Sequence, residues 1–539
     1  MGGVANINDV LDGHVALEIE SVDRLLLNAY VPGLQVPGQV VRFLTGHLGQ
    51  PIPSPALMGR IGNRFVGAVK AFARERAIPI VRLGTPDRSR WDDRKLDHVR
   101  PYLQAAERER RFGVVAIVAG QEFQWVFSAR NRSRRPGVAC FEFLRERRRV
   151  GAYYFYVLDR DFGPAFIKVC TYFPYPARVW VNGHEWAKRQ AEHADVDYLA
   201  LANGFAACPE PAVLQAICDS FGPEHVQAFF DRWIAQIPTP FTPADRAAGY
   251  WWQLSMRQVE VSRTLVFDAP RYARAFFEAL IADNIGIGRP QEVALVFARQ
   301  VRTTTREPFG TRIFSTGTDV RIDFRYKHSR VKQYLKDGRA LRIETVVNRP
   351  NDLGVARRLE HLPALIAKAR QVNHRLLIIE QAGQSCAIGS ALFERIHLPY
   401  HREGQRTGAL RFGDTRAMAL AGALCHQLHA VAGFTNQTLR ALVAAHLGHD
   451  DYTPTRMSYD LRRLRLHGLI QRLPRSNTYI LTPDGIRVAV FYTKLQNRLL
   501  RPLLDADKPP APTDVRRALK TLERAVNDYV LGARLAPTG

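Results

Sequence analysis

The stretch with the densest reactive chemistry is VKQYLKDGRALRIETVVN, Val331 to Asn348. It gathers a phenol (Tyr334), a carboxylate (Glu344) and the cations Lys332, Lys336, Arg339 and Arg342 around an Asp337-Gly338 pair. Asp-Gly between alternating runs is a strong hairpin signal. The bland reading is a solvated hairpin with a structural Arg342–Glu344 pair. The sharp reading is a site that handles a phosphate backbone. The turn decides between them, because a one-residue slip moves every side chain to the other face. A two-residue Asp337-Gly338 turn pairs Tyr334 with Leu341 and turns it away from Arg342 and Glu344. A three-residue Lys336-Asp337-Gly338 loop pairs Tyr334 with Ala340, sets Lys332 beside Arg342 and brings Glu344 to the same face. Only the second register assembles a Tyr/Lys/Arg/Glu cluster.

The pattern Y-x-K, a Gly turn, then L-R-x-E resembles a stretch of the rolling-circle replication initiators of small plasmids and filamentous phages. The resemblance implies a Tyr that attacks a DNA phosphate and acidic residues that hold a divalent metal. The matching positions are Tyr334, Lys336, Arg342 and Glu344, and Asp23 in SVDRLLLNAY stands where that family has an acid in its first strand. No His-hydrophobe-His motif is present, so the HUH nucleases are not a match. Together with NGHEWAKRQ, Asn182 to Gln190, the hairpin is also similar to a group of bacterial proteins with the character of mobile-element products. That similarity implies a DNA-level role and brings no established activity. The chemistry needs a Tyr334 phenol that ionises below its usual value of about 10, lowered by Lys332, Lys336 and Arg342. Glu344 with Asp23, or with Asp323 from the preceding strand, would hold one Mg²⁺ or Mn²⁺ ion. His328 would carry the proton or bind metal.

Other segments are weaker. NGHEWAKRQ offers His184, Glu185 and Lys188 at a strand-to-helix junction, but H-E-x-x-K is not the zinc-protease H-E-x-x-H. Asp159 and Asp161 read as hairpin-turn acids or, less simply, metal ligands. ARNRSRRPG, with Arg132, Arg134 and Arg135, and FLRERRRVG form a basic loop pair suited to phosphate or to a solvated rim. Lys327, Arg330 and Lys332 extend the basic character into the hairpin.

The chain that positions these residues has 539 residues, 76 Lys+Arg against 51 Asp+Glu, a net charge of +25 and a pI near 10.2. Such a balance attracts polyanions, and Arg suits bidentate phosphate contacts. Nucleic acid is the expected partner, DNA before RNA. No apolar run approaches the roughly 20 residues of a membrane span, and the N-terminus has no signal-peptide pattern. Six scattered cysteines without a C-x-x-C pair fit a reducing cytoplasm.

The expected class is a multidomain α+β or α/β protein. It combines mixed, mainly antiparallel sheets with helical insertions and a C-terminal winged helix-turn-helix. Periodicity divides it into an α/β region at 1–130, an antiparallel sheet region at 131–186 and a mostly helical region at 187–298. A strand-hairpin plus helix region follows at 299–400, then a winged helix at 410–502 and a linker with a last helix at 503–539. RERRRVG and DRDFG read as hairpin turns. The aromatic cluster of GYWWQLSMRQVEVSR has helical spacing and reads as core.

In the C-terminal region, LRRLRLHGLI followed by NTYILTPDGIRVA resembles the recognition helix and wing of MarR-like regulators. Arg456, Arg462, Arg463 and Arg465 would face a major groove, with Arg472 and Arg475 over phosphates. Winged helices often dimerise, so a homodimer is compatible. Three readings follow: a replication or mobile-element type protein that nicks DNA, a non-enzymatic DNA-binding regulator, or an RNA-binding protein. The last would stack bases on sheet aromatics such as Tyr153, Tyr154, Tyr156 and Tyr172.

Overall fold

The structure is a computed structural model. It describes residues 7–83, 93–133, 140–285, 310–316, 319–384, 390–402, 404–425, 433–448, 452–474 and 476–496, with a few positions between 517 and 525. Arg134, Arg135, Arg475 and the linker Asp505–Asp514 lie outside the described residues. The chain forms two compact units, one built from residues 15–273 and 312–373, the other from the remaining segments. The class is α+β: a large mixed sheet with helices in one unit, and a mainly helical second unit.

The first unit is organised by one sheet. Its strands are β1 (Val15–Tyr30), β2 (Ile80–Arg82), β3 (Gly113–Asn131), β4 (Phe141–Asp159), β5 (Gly163–Cys170), β6 (Ala177–Asn182), β9 (Gln253–Phe267), β10 (Gly310–Thr316), β11 (Asp319–Tyr326), β12 (Ser329–Lys336) and β13 (Ala340–Val347). A separate hairpin pairs β7 (Leu199–Leu201) with β8 (Gly204–Ala207). The order in the 11-stranded sheet is β10-β11-β12-β13-β9-β1-β6-β5-β4-β3-β2. Pairings from β11 to β3 are antiparallel, and β2 joins parallel to β3. The sheet therefore draws strands from four of the regions that periodicity separates.

Three local expectations change. GYWWQLSMRQVEVSR, expected helical, runs into β9, a central strand between β1 and β13. β9 is almost continuously buried from Val259 on, because the polar face of Glu260, Ser262 and Thr264 is buried along with the apolar face of Val259, Val261, Leu265 and Phe267. RERRRVG is not a turn; it is the middle of the 19-residue β4, while DRDFG does turn between β4 and β5. Tyr154 and Tyr156 are 6% exposed, packed with Val99 and Leu103 of the Asp93–Arg108 helix. Tyr153 and Tyr172 are half-buried, so none of these four is an open stacking surface.

In the second unit the helices Thr415–Cys425, Asn436–Leu447, Pro454–Leu466 and Pro483–Leu495 surround a core that includes Leu420, Leu439, Leu461 and Ile486. A short sheet orders Phe434–Thr435, Thr478–Leu481 and Ile470–Arg472. Thr435 caps the second of these helices by accepting from Thr438 N, and Gly448 ends it with φ 70°. No helix of the described residues is long and apolar enough to cross a membrane.

Candidate functional site

The β12–β13 hairpin settles into a register that neither expected turn gives. Lys332 lies opposite Glu344, Tyr334 opposite Arg342 and Lys336 opposite Ala340, which leaves Asp337-Gly338-Arg339 as the loop. Asp337 and Gly338 both take positive φ, 48° and 71°, the left-handed conformations that Asp and Gly tolerate. The shift of one full pair preserves parity. Tyr334, Lys332, Lys336, Arg342 and Glu344 therefore share one face, as the cluster requires.

Neighbouring strands extend that face. Glu344 is in register with Ser262 on β9, and Ser262 with Ser21 on β1. Asp23 follows on β1 beside a bulge between Val22 and Leu25, and Glu260 follows two residues from Ser262 on β9. Asp23, Glu260 and Glu344 are all buried, and one carboxylate oxygen from each lies within 4.8 Å of the others. Glu260 is the site residue that sequence reading missed. Its signal was the alternation Gln258, Glu260, Ser262, Thr264 within an apolar run, masked by the helical reading of that segment.

The helix Gly183–His193 closes over this face. Asn182 caps it by accepting from His184 N and Glu185 N. Gly183 is required there, because a Cβ would lie 2.4 Å from Val22 O on β1. This close approach delivers His184 into the cluster. Arg342 Nη2 donates to Asp23 Oδ2 and, at 2.8 Å, to His184 Nε2; Nη1 donates to Asn203 O. His184 Nδ1 lies 3.1 Å from Ser21 Oγ, and its Nε2 lies 3.1 Å from Asp23 Oδ1. Burial lowers the His184 pKa, and the charge of Asp23 opposes that shift.

Tyr334 Oη donates to Glu344 Oε2 at 3.2 Å and Lys332 Nζ lies 3.4 Å from Glu344 Oε1. Burial raises the Tyr334 phenol above its ordinary value, Arg342 opposes this, and Glu344 adds to it. That corrects the expected direction: the cations do not activate the phenol, because desolvation outweighs them. Burial would also raise Asp23, but Arg342 and His184 hold it well below the carboxylate range. Glu260 is pushed up to about 7 by burial and by the facing Glu344. Lys336, half-buried, is lowered by burial and by Arg342.

Other expected site residues fall elsewhere. Asp323 is fully buried but pairs with Arg321 at 2.8 Å and Arg330 at 3.5 Å, and it is not in the carboxylate trio. His328 lies at the far end of β12 from Tyr334, about 20 Å away at strand rise. It is exposed and cannot serve the cluster as proton carrier or ligand. Lys327 sits in the same turn, and Arg132 is exposed but pairs with Glu142 at 2.6 Å. Asp159 is a turn acid: it accepts from Asp161 N, Phe162 N and Trp233 Nε1. In the second unit Arg456, Arg462, Arg465 and Arg472 are exposed. Arg463 instead turns inward, bonding Ala409 O and Asp460 Oδ1, so it is not available to a groove. Comparison with known protein families, characterised proteins and solved structures returned no match.

Proposed function

We propose that the protein binds nucleic acid in the manner of replication and mobile-element proteins. Within that reading, Asp23, Glu260 and Glu344 form a Mg²⁺ or Mn²⁺ site for cleavage of a phosphodiester strand. The observation that carries the reading is the convergence of three buried carboxylates from three strands within 4.8 Å. Glu260 Oε2 is buried without a hydrogen-bond partner among the described residues, and Asp23 Oδ1 faces His184 Nε2 at 3.1 Å. An all-oxygen donor set of this kind suits a hard divalent cation. The other occupant of such a gap is a proton shared by Glu260 and Glu344, which is why Glu260 rises. A bound cation supplies Lewis-acid polarisation of the phosphate.

The chain's own groups have distinct tasks. Arg342 and His184 orient Asp23. Lys332 and Lys336, both half-buried, face the same side and attract the phosphate. Tyr334 is placed to attack with Glu344 as the proton acceptor, but its raised pKa makes water the competing nucleophile. In the second unit, helix, helix and strand hairpin with exposed Arg456, Arg462, Arg465 and Arg472 support a winged-helix contact with DNA. A non-enzymatic regulator is the second reading. It is favoured by the direct closure of Arg342 on Asp23, which makes the cluster self-sufficient as a buried polar lock.

A supercoiled plasmid and a labelled oligonucleotide pool, with Mg²⁺ or Mn²⁺ against EDTA, test this. Expected is cation-dependent nicking, lost in Glu260→Gln and Glu344→Gln. A covalent protein–DNA adduct lost in Tyr334→Phe assigns the nucleophile to Tyr334; nicking that persists assigns it to water. Binding without cleavage under every condition leaves the regulator.

A further inference from the structure

The long β3–β4 pair continues beyond its neighbours. β2 pairs with β3 only at Ile117–Ala119, and β5 pairs with β4 only from Ala152 to Asp159. Residues 121–131 and 141–151 thus form a two-stranded arm. Its two faces differ in kind. In register, Phe123 lies opposite Arg149, Trp125 opposite Arg147 and Phe127 opposite Arg145, so these six share one face, covered at Phe127, which is 1% exposed and whose N–H donates to Phe173 O. Phe123 and Trp125 are each 57% exposed, the most exposed aromatic side chains of the described residues. Arg145, Arg147 and Arg149 are exposed as well. The acids of these two segments, Glu122, Glu142 and Glu146, all fall on the opposite face by alternation. There Glu142 pairs with Arg132, and Glu146 with Arg148 at 2.5 Å.

We propose that this face is a binding platform for single-stranded nucleic acid, a proposal that rests on the nucleic-acid reading above. Three exposed arginines without an acid on their face of the arm suit an anionic partner, and a phosphate chain presents one repeatedly. Its rings decide the strandedness. Exposed Phe and Trp side chains stack on base faces, and a duplex hides those faces whereas a single strand offers them. Strand geometry sets the two rings about 6.6 Å apart, with the arginine strand about 5 Å to one side. One strand thus reads bases and the other neutralises the backbone. The Arg147 guanidinium lies 5.3 Å from the Phe123 ring centroid and holds that ring in place by a cation–π contact.

The test uses the full chain with labelled dT and rU oligonucleotides and a matched duplex, titrated at several salt concentrations. Phe123→Ala/Trp125→Ala should lose at least about tenfold in single-strand affinity and leave duplex affinity unchanged. Phe123→Tyr/Trp125→Phe should restore single-strand binding. Arg145→Gln/Arg147→Gln/Arg149→Gln should lower the single-strand salt slope by about 2. Equal single-strand affinity in wild type and the alanine variant overturns the platform while leaving the nucleic-acid reading intact. Parallel loss on the duplex also overturns it, assigning the arm to duplex contact. A change of sedimentation in the alanine variant with unchanged oligonucleotide binding assigns the face to a second copy of the chain, again overturning it. Wild type that binds neither strand form overturns both readings. These side chains are exposed, so an unchanged thermal melt is expected of every variant.

Discussion

Each unit buries an arginine–carboxylate cluster, and the two are built in opposite proportions. In the second unit one acid meets several donors: Asp460, fully buried, accepts from Arg416 Nε at 2.7 Å, from Arg463 Nη1 at 3.2 Å and from Tyr452 Oη. In the sheet, three acids meet one fully buried guanidinium, that of Arg342, and a Lys332 ammonium at its margin. The first cluster is closed, and its function is to hold the Pro454–Leu466 helix against the chain around Ala409. The second has more acceptors than donors and leaves Glu260 Oε2 orphaned. A surplus of buried carboxylate is costly unless a proton or a cation resides there. The comparison therefore separates a structural ion cluster from one with capacity for a ligand.

The largest expected effect breaks both clusters. Arg342→Leu leaves three carboxylates without their guanidinium and should cost about 3–5 kcal/mol in urea unfolding. Asp460→Leu should cost less, about 1–3 kcal/mol, because Arg416 is partly exposed and regains water. Millimolar Mn²⁺ should recover part of the first loss and none of the second. Equal recovery of both would abolish the distinction.

Next in size is the contact that brings His184 in. Gly183→Ala forces a Cβ against Val22 O, and overpacking of this kind costs about 1–3 kcal/mol. It should also weaken Mn²⁺ stabilisation measured by thermal shift. A variant that unfolds earlier yet keeps the full Mn²⁺ shift would show that His184 does not position Asp23 for the cation.

The pH response sharpens the comparison further. Glu260 is raised from 4.5 to about 7 in the folded protein. Its protonated form contributes stability fully present below 4.5, and this is lost as pH rises through about 7. Asp23 is lowered from 3.8, so its contribution holds above that value and is lost as pH falls. Cation-free protein should therefore lose stability progressively between about pH 4.5 and 7, with the loss complete above 7, and Mn²⁺, which replaces the proton, should stabilise more at pH 8 than at pH 5.5. Glu260→Gln should remove that loss, gain on the order of 1 kcal/mol at pH 8 without metal, and abolish the Mn²⁺ shift. A Mn²⁺ shift independent of pH and of Glu260 would place the ion elsewhere. The smallest effect belongs to Tyr334→Phe, which deletes one hydrogen bond and should cost about 0.5–1.5 kcal/mol. Stability barely moves while nicking, if carried by the phenol, disappears.

Much of the local structure was legible. The Asp-Gly hairpin, the Asn182-capped helix, the amphipathic Pro55–Glu75 helix and the capped helices of the second unit all follow from short-range patterns. Asp23 and Glu344 were legible as acids in apolar strands. Glu260 was not, because its segment follows the aromatic cluster at Tyr250–Trp252, whose spacing resembles a helix and hides the alternation that begins at Gln258. The stacking face was misplaced for a related reason. Tyr154 and Tyr156 look like surface residues on an alternating strand, and only the helix packed above them shows that they are core.

What the sequence alone determined is the alternation along each hairpin strand and the high positive charge. Alternation puts Tyr334, Arg342, Lys332 and Glu344 on one face in any odd-length loop, because opposed residues in an antiparallel pair point the same way. The tertiary structure decided which loop formed, which strands lay next to it, and hence which charges meet. Asp23, Glu260 and Glu344 are separated by 237 and 84 positions in the chain, and no local pattern encodes their approach. It arises from the order β13-β9-β1 in the sheet and from a bulge in β1, where the net gain of burying many apolar strands sets the geometry that a few buried charges must accept.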